Sequence, residues 1–458
     1  MANSDSHASG GDDGSSGSTT SQSDTESEGE TTLSETERKG DWQRILRNMG
    51  GSSAFSWPVR LILPCAGWDA PCQALQILGV EHRVVGAWDA DAVCGDVWKA
   101  VHHVKPTKPL PPHFHAGRRE GDIQQVALRA LPDADMLVSG PPCPPFSAQG
   151  NKRNFADPRA KVFLVVLSWI FHLAQKSLKC FVLENVMGML RKERTSGQAP
   201  ADIALAKLRR GLPDWHIDML RMNSQCTGQS RRRLYVVGYV KTRAVWSPLQ
   251  HALPQLPAVP LSSIVRKGHP NTPLRCLSEG QRRNLKKYMA LLAKEMKDKS
   301  FQGQLAVAEI ERNPERTWGA TARRDGLCHC LRAGHRELFL ISLGEGSTPA
   351  ICRFLLVEEA AALQGMSADI IPPGVSRRVA FRGIGNAMTV PVVGVVMLAV
   401  LSRAAGCRGV SDGDEQPAAH KRKKQKTAGE QVSETLSSSD ATSMSDEEGT
   451  DGDESTET

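Results

Sequence analysis

The 458-residue chain has no apolar segment near its N-terminus and no uninterrupted apolar run of the roughly 20 residues that a membrane helix needs. These absences argue against a secreted or membrane-spanning protein, and no membrane partner is expected. Its eleven cysteines fall in no paired spacing. That excludes a disulfide framework and predicts reduced thiols in a cytosolic or nuclear protein. The one close pair, "CHC" (Cys328 and Cys330, with His329 and His335 nearby), lacks a second pair at ligand spacing, so no metal site is expected. The most apolar stretch, "TVPVVGVVMLAVLSRAAG", is short and carries Arg403, and it reads as buried core.

The two ends have little to bury. Residues 1–39 hold nine Asp/Glu against Arg38 and Lys39, and residues 409–458 hold thirteen acids against five bases, so both read as disordered tails. The five bases cluster in "KRKKQK", Lys421 to Lys426. Such a run is a nuclear-import address, a nonspecific nucleic-acid contact or a merely solvated charge run. What lies between is short of acids: residues 40–410 carry 50 of the 57 Lys and Arg but only 28 of the 50 Asp and Glu, a net of +22. A body of that charge attracts polyanions such as nucleic acid.

From Val59 onward short apolar runs alternate with helical patterns: "VRLILPCAG", "APCQALQIL", "HRVVGAWDAD", then "ADMLVSGPP", "KVFLVVLSWIFHLAQ", "KCFVLENV" and "RLYVVGYV". Strands bounded by Gly and Pro and separated by helices of this length predict βαβ units. The fold class is therefore α/β, a doubly wound, mostly parallel sheet of Rossmann-like type. Ligands in such sheets sit outside the carboxyl ends of the strands, and the unusual residues of this chain fall there. "CAGWDAP" follows the first strand, with Gly67 allowing close backbone approach. Asp89 follows the second, at the distance where an acid can hold a ribose. "EGDI" brings Asp122, able to accept from an exocyclic amine. Asp89 and Asp122 are expected to end separate strands. The fourth strand delivers Cys143 in "GPPCPPFS", and the fifth delivers Glu184 and Asn185 in "ENV".

Each signal has a plain structural reading: the proline-rich loop as a rigid surface turn, Glu184 as a cap for the next turn, "QSRRR" as a basic edge. Taken in order, however, "EGDI", "GPPCPPFS", "ADPRAKVF", "FVLENVMG", "GQSRRRLYVVGY", "RFLLVEEAAALQGM" and "RGIGNAMTVPV" resemble the DNA (cytosine-5)-methyltransferase family from about Val59 to Val392. The resemblance implies S-adenosylmethionine as cofactor, held by Cys65, Gly67, Asp89, Asp122, Ile123, Pro142, Val162 and Asn386. It implies Cys143 as the nucleophile that adds to cytosine C6, since C5 is too poor a nucleophile to take a methyl group unaided. It gives Glu184 a hydrogen-bonding role at N3, and Arg231 and Arg233 support of the base. The four prolines then restrict the loop, so that less entropy is lost in holding the sulfur over a flat ring.

Gln229, Arg231 and Arg233 stand at alternate positions as a strand begins and are expected to share one face, with Arg232 pointing away. Gln229, with Ser147 and Gln149 just past Cys143, is expected to touch DNA. The target base must leave its stack to be reached. The first motif departs from the family: Cys65 stands for an aromatic residue, and Asp69 and Ala70 stand for glycines. A side chain at those glycine positions weakens cofactor binding or shifts the loop. Asp89 replaces the usual glutamate.

The expected organisation is a catalytic and cofactor-binding core over 57–240, a target-recognition region over 241–350 containing the basic helix "GQRRNLKKYMALLAKEMKDK", and a return to the core over 351–408. DNA is the expected partner, RNA the alternative, and a chromatin-binding homologue without turnover the third reading. A nuclear site follows if the source is a eukaryote.

Overall fold

The computed structural model describes residues 42–50, 58–146, 157–193, 197–241, 248–266, 268–297, 305–315, 322–333, 337–343 and 349–405. The two acidic tails with "KRKKQK", and also Ser147 and Gln149, lie outside the described residues.

The chain enters through a helix that the sequence reading did not identify, α1 (Trp42–Gly50). It then forms β1 (Val59–Pro64), α2 (Ala70–Leu78), β2 (His82–Asp89), α3 (Val93–Val101), β3 (Phe114–Ala116), β4 (Met136–Ser139), α4 (Ala160–Ala174), β5 (Cys180–Val186), α5 (Pro200–Gly211), β6 (Trp215–Asn223) and β7 (Arg232–Val240). These seven strands make one sheet in the order β3-β2-β1-β4-β5-β7-β6. The first five run parallel, and β7 inserts antiparallel between β5 and β6. The mostly parallel, doubly wound architecture therefore holds. Strands β4 and β5 are buried almost throughout, which is why they read as unbroken apolar runs rather than alternating ones. Strand β6, "WHIDMLRMN", alternates with charge because it is an edge strand, partly exposed on one face.

A second, antiparallel sheet is built from β8 (Ala306–Ala308), β9 (Ala322–Arg323), β10 (Phe339–Leu343) and β11 (Pro349–Phe354), in the order β11-β10-β8-β9. Its side chains alternate as period two demands. Val307 and Leu340 join the core of the large sheet, whereas Ala306, Ala308, Phe339 and Ile341 pack against Leu285, Tyr288 and Leu292 of α6 (Glu279–Lys297). This is the "GQRRNLKKYMALLAKEMKDK" helix, which turns an apolar stripe inward. The small sheet runs to Phe354, and part of the 241–350 stretch (Leu249, Leu261, Val265) packs into the large core.

The chain then returns through α7 (Val357–Ala362), α8 (Arg377–Asn386) and α9 (Val390–Ala405). The apolar α9 is buried along most of its length against α1, α2, β5 and β7. Gly365, in the left-handed region at φ +71°, lets this packing close: a Cβ there would stand 2.5 Å from Pro391 and 3.1 Å from Trp42 of α1.

One buried ion pair joins the small sheet to this return. Arg353 of β11 donates from Nη1 to Glu359 Oε2 (2.9 Å) and from Nη2 to Glu359 Oε1 (2.7 Å). The carboxylate also accepts the backbone N–H groups of Arg266 and Leu356. Burial alone would raise the Glu359 pKa, but Arg353 and these donors outweigh it and hold it below the usual range. The resulting stabilisation is present above the unfolded carboxyl's pKa and is lost as pH falls through the lowered one. Glu359→Ala leaves a buried guanidinium unpaired and is expected to cost about 3–5 kcal/mol in urea denaturation at neutral pH, with Arg353→Met/Glu359→Leu restoring most of the loss.

Candidate active site

Strand β1 pairs with β2 on one side and β4 on the other, so the crossovers diverge between β1 and β4. A cavity of about 1030 Å³ opens there, at the carboxyl ends of the strands. It is large enough for a nucleoside-sized ligand together with a second ring.

One wall is the loop after β1. Cys65 (φ +57°), Gly67 (φ +58°) and Asp69 (φ +52°) all adopt the left-handed region. Asp69 therefore keeps the backbone that a glycine would supply; Asp and Asn are among the few other residues that tolerate it. Its side chain turns away from the cavity into the core (1 % exposed), where Oδ2 lies 2.8 Å from His102 Nε2. Cys72 adds a third potential ligand atom within 4.8 Å of these two. Ala70 simply begins α2. The space before Gly67 is open, with no heavy atom within 4 Å of a Cβ built there. The Asp69 side chain thus stays out of the cavity, while Ala70 lines it.

Asp89, last residue of β2, rivets this loop. Its Oδ2 accepts the Gly67 N–H at 2.8 Å and its Oδ1 accepts the Asp91 N–H at 2.9 Å. Burial raises its pKa, with those two donors opposing. Asp122 does not end a strand as expected: it lies six residues past β3 and caps a short 3₁₀ turn, accepting from Gln124 N at 3.0 Å. It is delivered to the cavity by Gly121, which packs so tightly that a Cβ would stand 1.9 Å from the Asp89 carbonyl oxygen. Ile123, Pro142, Val162 and Asn386 line the same cavity, as does Cys65. These residues fit S-adenosylmethionine: an open glycine, two acids on neighbouring turns and apolar walls for a flat ring.

The opposite wall carries the reactive groups. Cys143 is half-buried in a turn closed by Phe146 N donating to Cys143 O at 3.0 Å. Phe146 anchors the turn edge-on against Phe163. Asn185 of β5 reaches across to donate to Pro141 O at 3.2 Å, so "ENV" holds the thiol loop as well as presenting Glu184. Glu184 is buried, with Arg233 Nε 3.0 Å from its Oε1, an ion pair without hydrogen-bond alignment. Burial pushes the Cys143 thiol up and Glu184 adds to this, while Arg233 and Arg231 pull it down; the net direction is upward.

Arg231 and Arg233 share a face as expected, and Arg232 is exposed. Arg231 is 2 % exposed and donates to the carbonyls of Leu331 (2.7 Å), Gly385 (3.1 Å) and Ala387 (2.7 Å). Gln229 does not belong with them as a DNA contact. It is 0 % exposed, donates to Leu363 O and to Gln364 Oε1 (3.0 Å), and accepts from Leu331 N. Gln229 and Arg231 do reach the same neighbour, Leu331, through its N–H and its carbonyl respectively, but Gln229 is enclosed in the core and does not line the cavity.

Sequence reasoning missed Gly121, Trp68 and Cys330 as lining residues. Gly121 could have been found from its place before Asp122. Trp68 stacks so closely on α8 that a Cβ at Gly383 would meet its Nε1 at 2.1 Å, and Cys330 carried no signal beyond the "CHC" pair. Since Gln229 is a strut, Gln229→Ala leaves Leu331 N without its acceptor in the core, while Leu363 O keeps Thr227 Oγ1 and Gln364 Oε1 keeps Thr389 Oγ1 as donors. It is expected to lower stability by about 1–3 kcal/mol in urea melts.

Residues 113–402 match the family model described as C-5 cytosine-specific DNA methylase. The chain is 30 % identical over 167 residues to the orphan methyltransferase M.SPRI of Bacillus phage SPR, covering 36 % of this chain and 34 % of that protein. It is 27 % identical over 289 residues to the type II methyltransferase M.SsoII of Shigella sonnei, covering 62 % of this chain and 68 % of that one. The match to M.SPRI thus spans about a third of that relative's length. In fold, the chain is similar to the Dnmt2 methyltransferase of S. pombe, with a TM-score of 0.52 and 16 % identity over 75 % of this chain and 98 % of that chain. The methyl donor of this family is S-adenosylmethionine, to which the first wall of the cavity is suited. With most of its length in the matched region, the chain belongs to the C-5 cytosine-specific DNA methylase family.

Proposed function

We propose that this chain methylates C5 of cytosine in DNA, through a covalent bond between Cys143 and C6 of a base turned out of its helix. The observation that carries this reading is that Cys143, Glu184 and Arg233 line the same cavity as Gly67, Asp89 and Asn386. A thiol, a carboxyl group and a guanidinium on one wall suit addition to a pyrimidine ring, and the opposite wall suits the methyl donor. The family description names DNA, and the basic body suits a polyanion. Action on RNA in place of DNA is the outcome that a direct substrate comparison would expose.

S-adenosylmethionine, when bound, supplies an electrophilic methyl group on a sulfonium. The protein's own residues do the rest. Asp89 and Asp122 accept hydrogen bonds at the ribose and adenine, and Gly67 gives the backbone close access. Cys143 loses its proton and attacks C6, which places electron density on C5. Glu184 engages N3, favouring the addition, while Arg233 keeps Glu184 oriented. Loss of the C5 proton and departure of the sulfur from C6 then free the product.

The test is methyl incorporation from labelled S-adenosylmethionine into duplex DNA and into transfer RNA. DNA carrying 5-fluorocytosine is expected to trap wild-type protein covalently, and Cys143→Ser to form no adduct while remaining folded. Because the Cys143 pKa is raised, the thiolate fraction grows with pH. Trapping is expected to accelerate from pH 7 to 9 without levelling below the ordinary thiol value of about 8.5; a plateau by pH 7 would count against a protonated resting thiol.

Asp89→Ala removes both a ligand contact and the Gly67 rivet. Its dissociation constant for S-adenosylmethionine, measured by calorimetry, is expected to rise about tenfold to a hundredfold, the worth of a hydrogen bond to a charged group. Unchanged affinity removes Asp89 from the site.

A further inference from the structure

We infer that Cys330 is a second thiolate of this cleft, the counter-ion shared by Arg231 and Arg233, and the place where peroxides and soft electrophiles modify the protein ahead of Cys143. Nothing in the methyl-transfer reaction requires this thiol.

The geometry starts from Arg231. Its guanidinium is almost fully buried, and among the described residues no carboxylate lies within 4.0 Å of it. A buried cation without an anion costs several kcal/mol. Its hydrogen bonds go to three carbonyls and, from Nη1, to Cys330 Sγ at 3.7 Å. Arg233 Nη2 donates to the same sulfur at 3.6 Å, while its Nε lies beside Glu184. Two guanidiniums and one carboxylate leave the cluster with one positive charge in excess, and a thiolate at Cys330 cancels it.

The other groups facing this cluster are Cys143 and Tyr235. Burial raises both, so both stay neutral near pH 7. Leu331 O, 3.4 Å from the sulfur, can accept from a protonated thiol beside the Arg231 donor at 2.7 Å; the two guanidinium donors aimed at the sulfur oppose that form. Burial alone would raise the Cys330 pKa; the charges and hydrogen bonds of Arg231 and Arg233 outweigh it and bring it below the ordinary value. Cys328, two residues earlier, shows the contrast: it is fully buried, makes no such contact, and its thiol is pushed up. Cys330 is only half-buried and lines the cavity, so small reagents reach it. A thiolate beside two arginines in an accessible cleft is the setting of reactive cysteines.

With a peroxide, the sulfur attacks one oxygen. The S–O bond forms as the O–O bond breaks, sulfur is oxidised and the peroxide reduced, and the departing hydroxide takes a proton from solvent to become water. The product is a sulfenic acid against Arg233.

The experiment is limiting iodoacetamide on the reduced full chain from pH 6.5 to 9, with both cysteines read in the same digest by mass spectrometry. Cys330 is expected to be alkylated first, about tenfold faster than Cys143 at pH 7 for each unit separating the two pKa values. Its rate should level at a lower pH than that of Cys143. Hydrogen peroxide followed by dimedone should mark the same residue, and Cys330→Ser should abolish the mark. Labelling of Cys143 first, or a Cys330 rate that levels no earlier in pH than that of Cys143, overturns the inference. The wild-type series needs no variant to fold and no methyl transfer, so it stands or falls separately from the proposed function.

Discussion

The guanidinium of Arg231 is the constraint on which the site depends. It binds the carbonyls of Leu331, Gly385 and Ala387, residues from the small sheet's side of the chain and from the end of α8, 100 and more positions away in sequence. Ala387 O also accepts from Gln364 Nε2 at 3.3 Å, so the guanidinium and Gln364 together satisfy buried carbonyls at the end of α8. The two-residue spacing from Arg231 to Arg233 then fixes where Arg233 meets Glu184, because β7 pairs in register with β5 (Val186 opposite Arg233, Glu184 opposite Tyr235). Holding three separate segments together and setting the catalytic face are the work of one side chain.

The cofactor wall is organised by a different device, a carboxylate that accepts backbone donors. Asp89 collects the Gly67 and Asp91 N–H groups, and its carbonyl accepts the Gly117 N–H at 2.9 Å. The turns after β1, β2 and β3 are thereby joined at one residue. This explains how a loop with cysteine and aspartate at left-handed positions keeps its shape. The strain at Cys65 and Asp69 is opposed by the hydrogen bonds from Gly67 N to Asp89, from Ala66 N to Trp88 O and between Asp69 and His102.

Much of this was legible in the sequence because the parallel strands are buried on both faces and therefore announce themselves as apolar runs, and because the reactive residues sit at strand ends. Cys143, Glu184, Arg231 and Arg233 fall together for that reason. The departures are equally physical. Strand β6 and helix α1 were missed because an edge strand and a short amphipathic helix bury too little to show a clear pattern. Gln229 was misjudged because side-chain alternation tells which face a residue takes, not that the face is closed over there by Leu331, Leu363 and Gln364. The left-handed Asp69 is invisible to any argument that assigns such backbone to glycine alone, and its buried contact with His102 links positions 33 residues apart.

The charge balance of the cleft gives the proposed reaction its order of events. Burial penalises every ion there, and Cys143 and Glu184 cannot cheaply be anionic side by side: the carboxylate is one of the two forces that raise the thiol. Arg233 already shares its positive charge between Glu184 and Cys330, so little is left to stabilise a thiolate at Cys143 in the empty cleft. A cytosine whose N3 edge engages Glu184 takes up part of that negative charge, which lowers the opposition to ionising the thiol. In the proposed reaction the Cys143 thiol would therefore stay quiet until its target arrives, and the group that recognises the base would be the one that releases the sulfur to attack it.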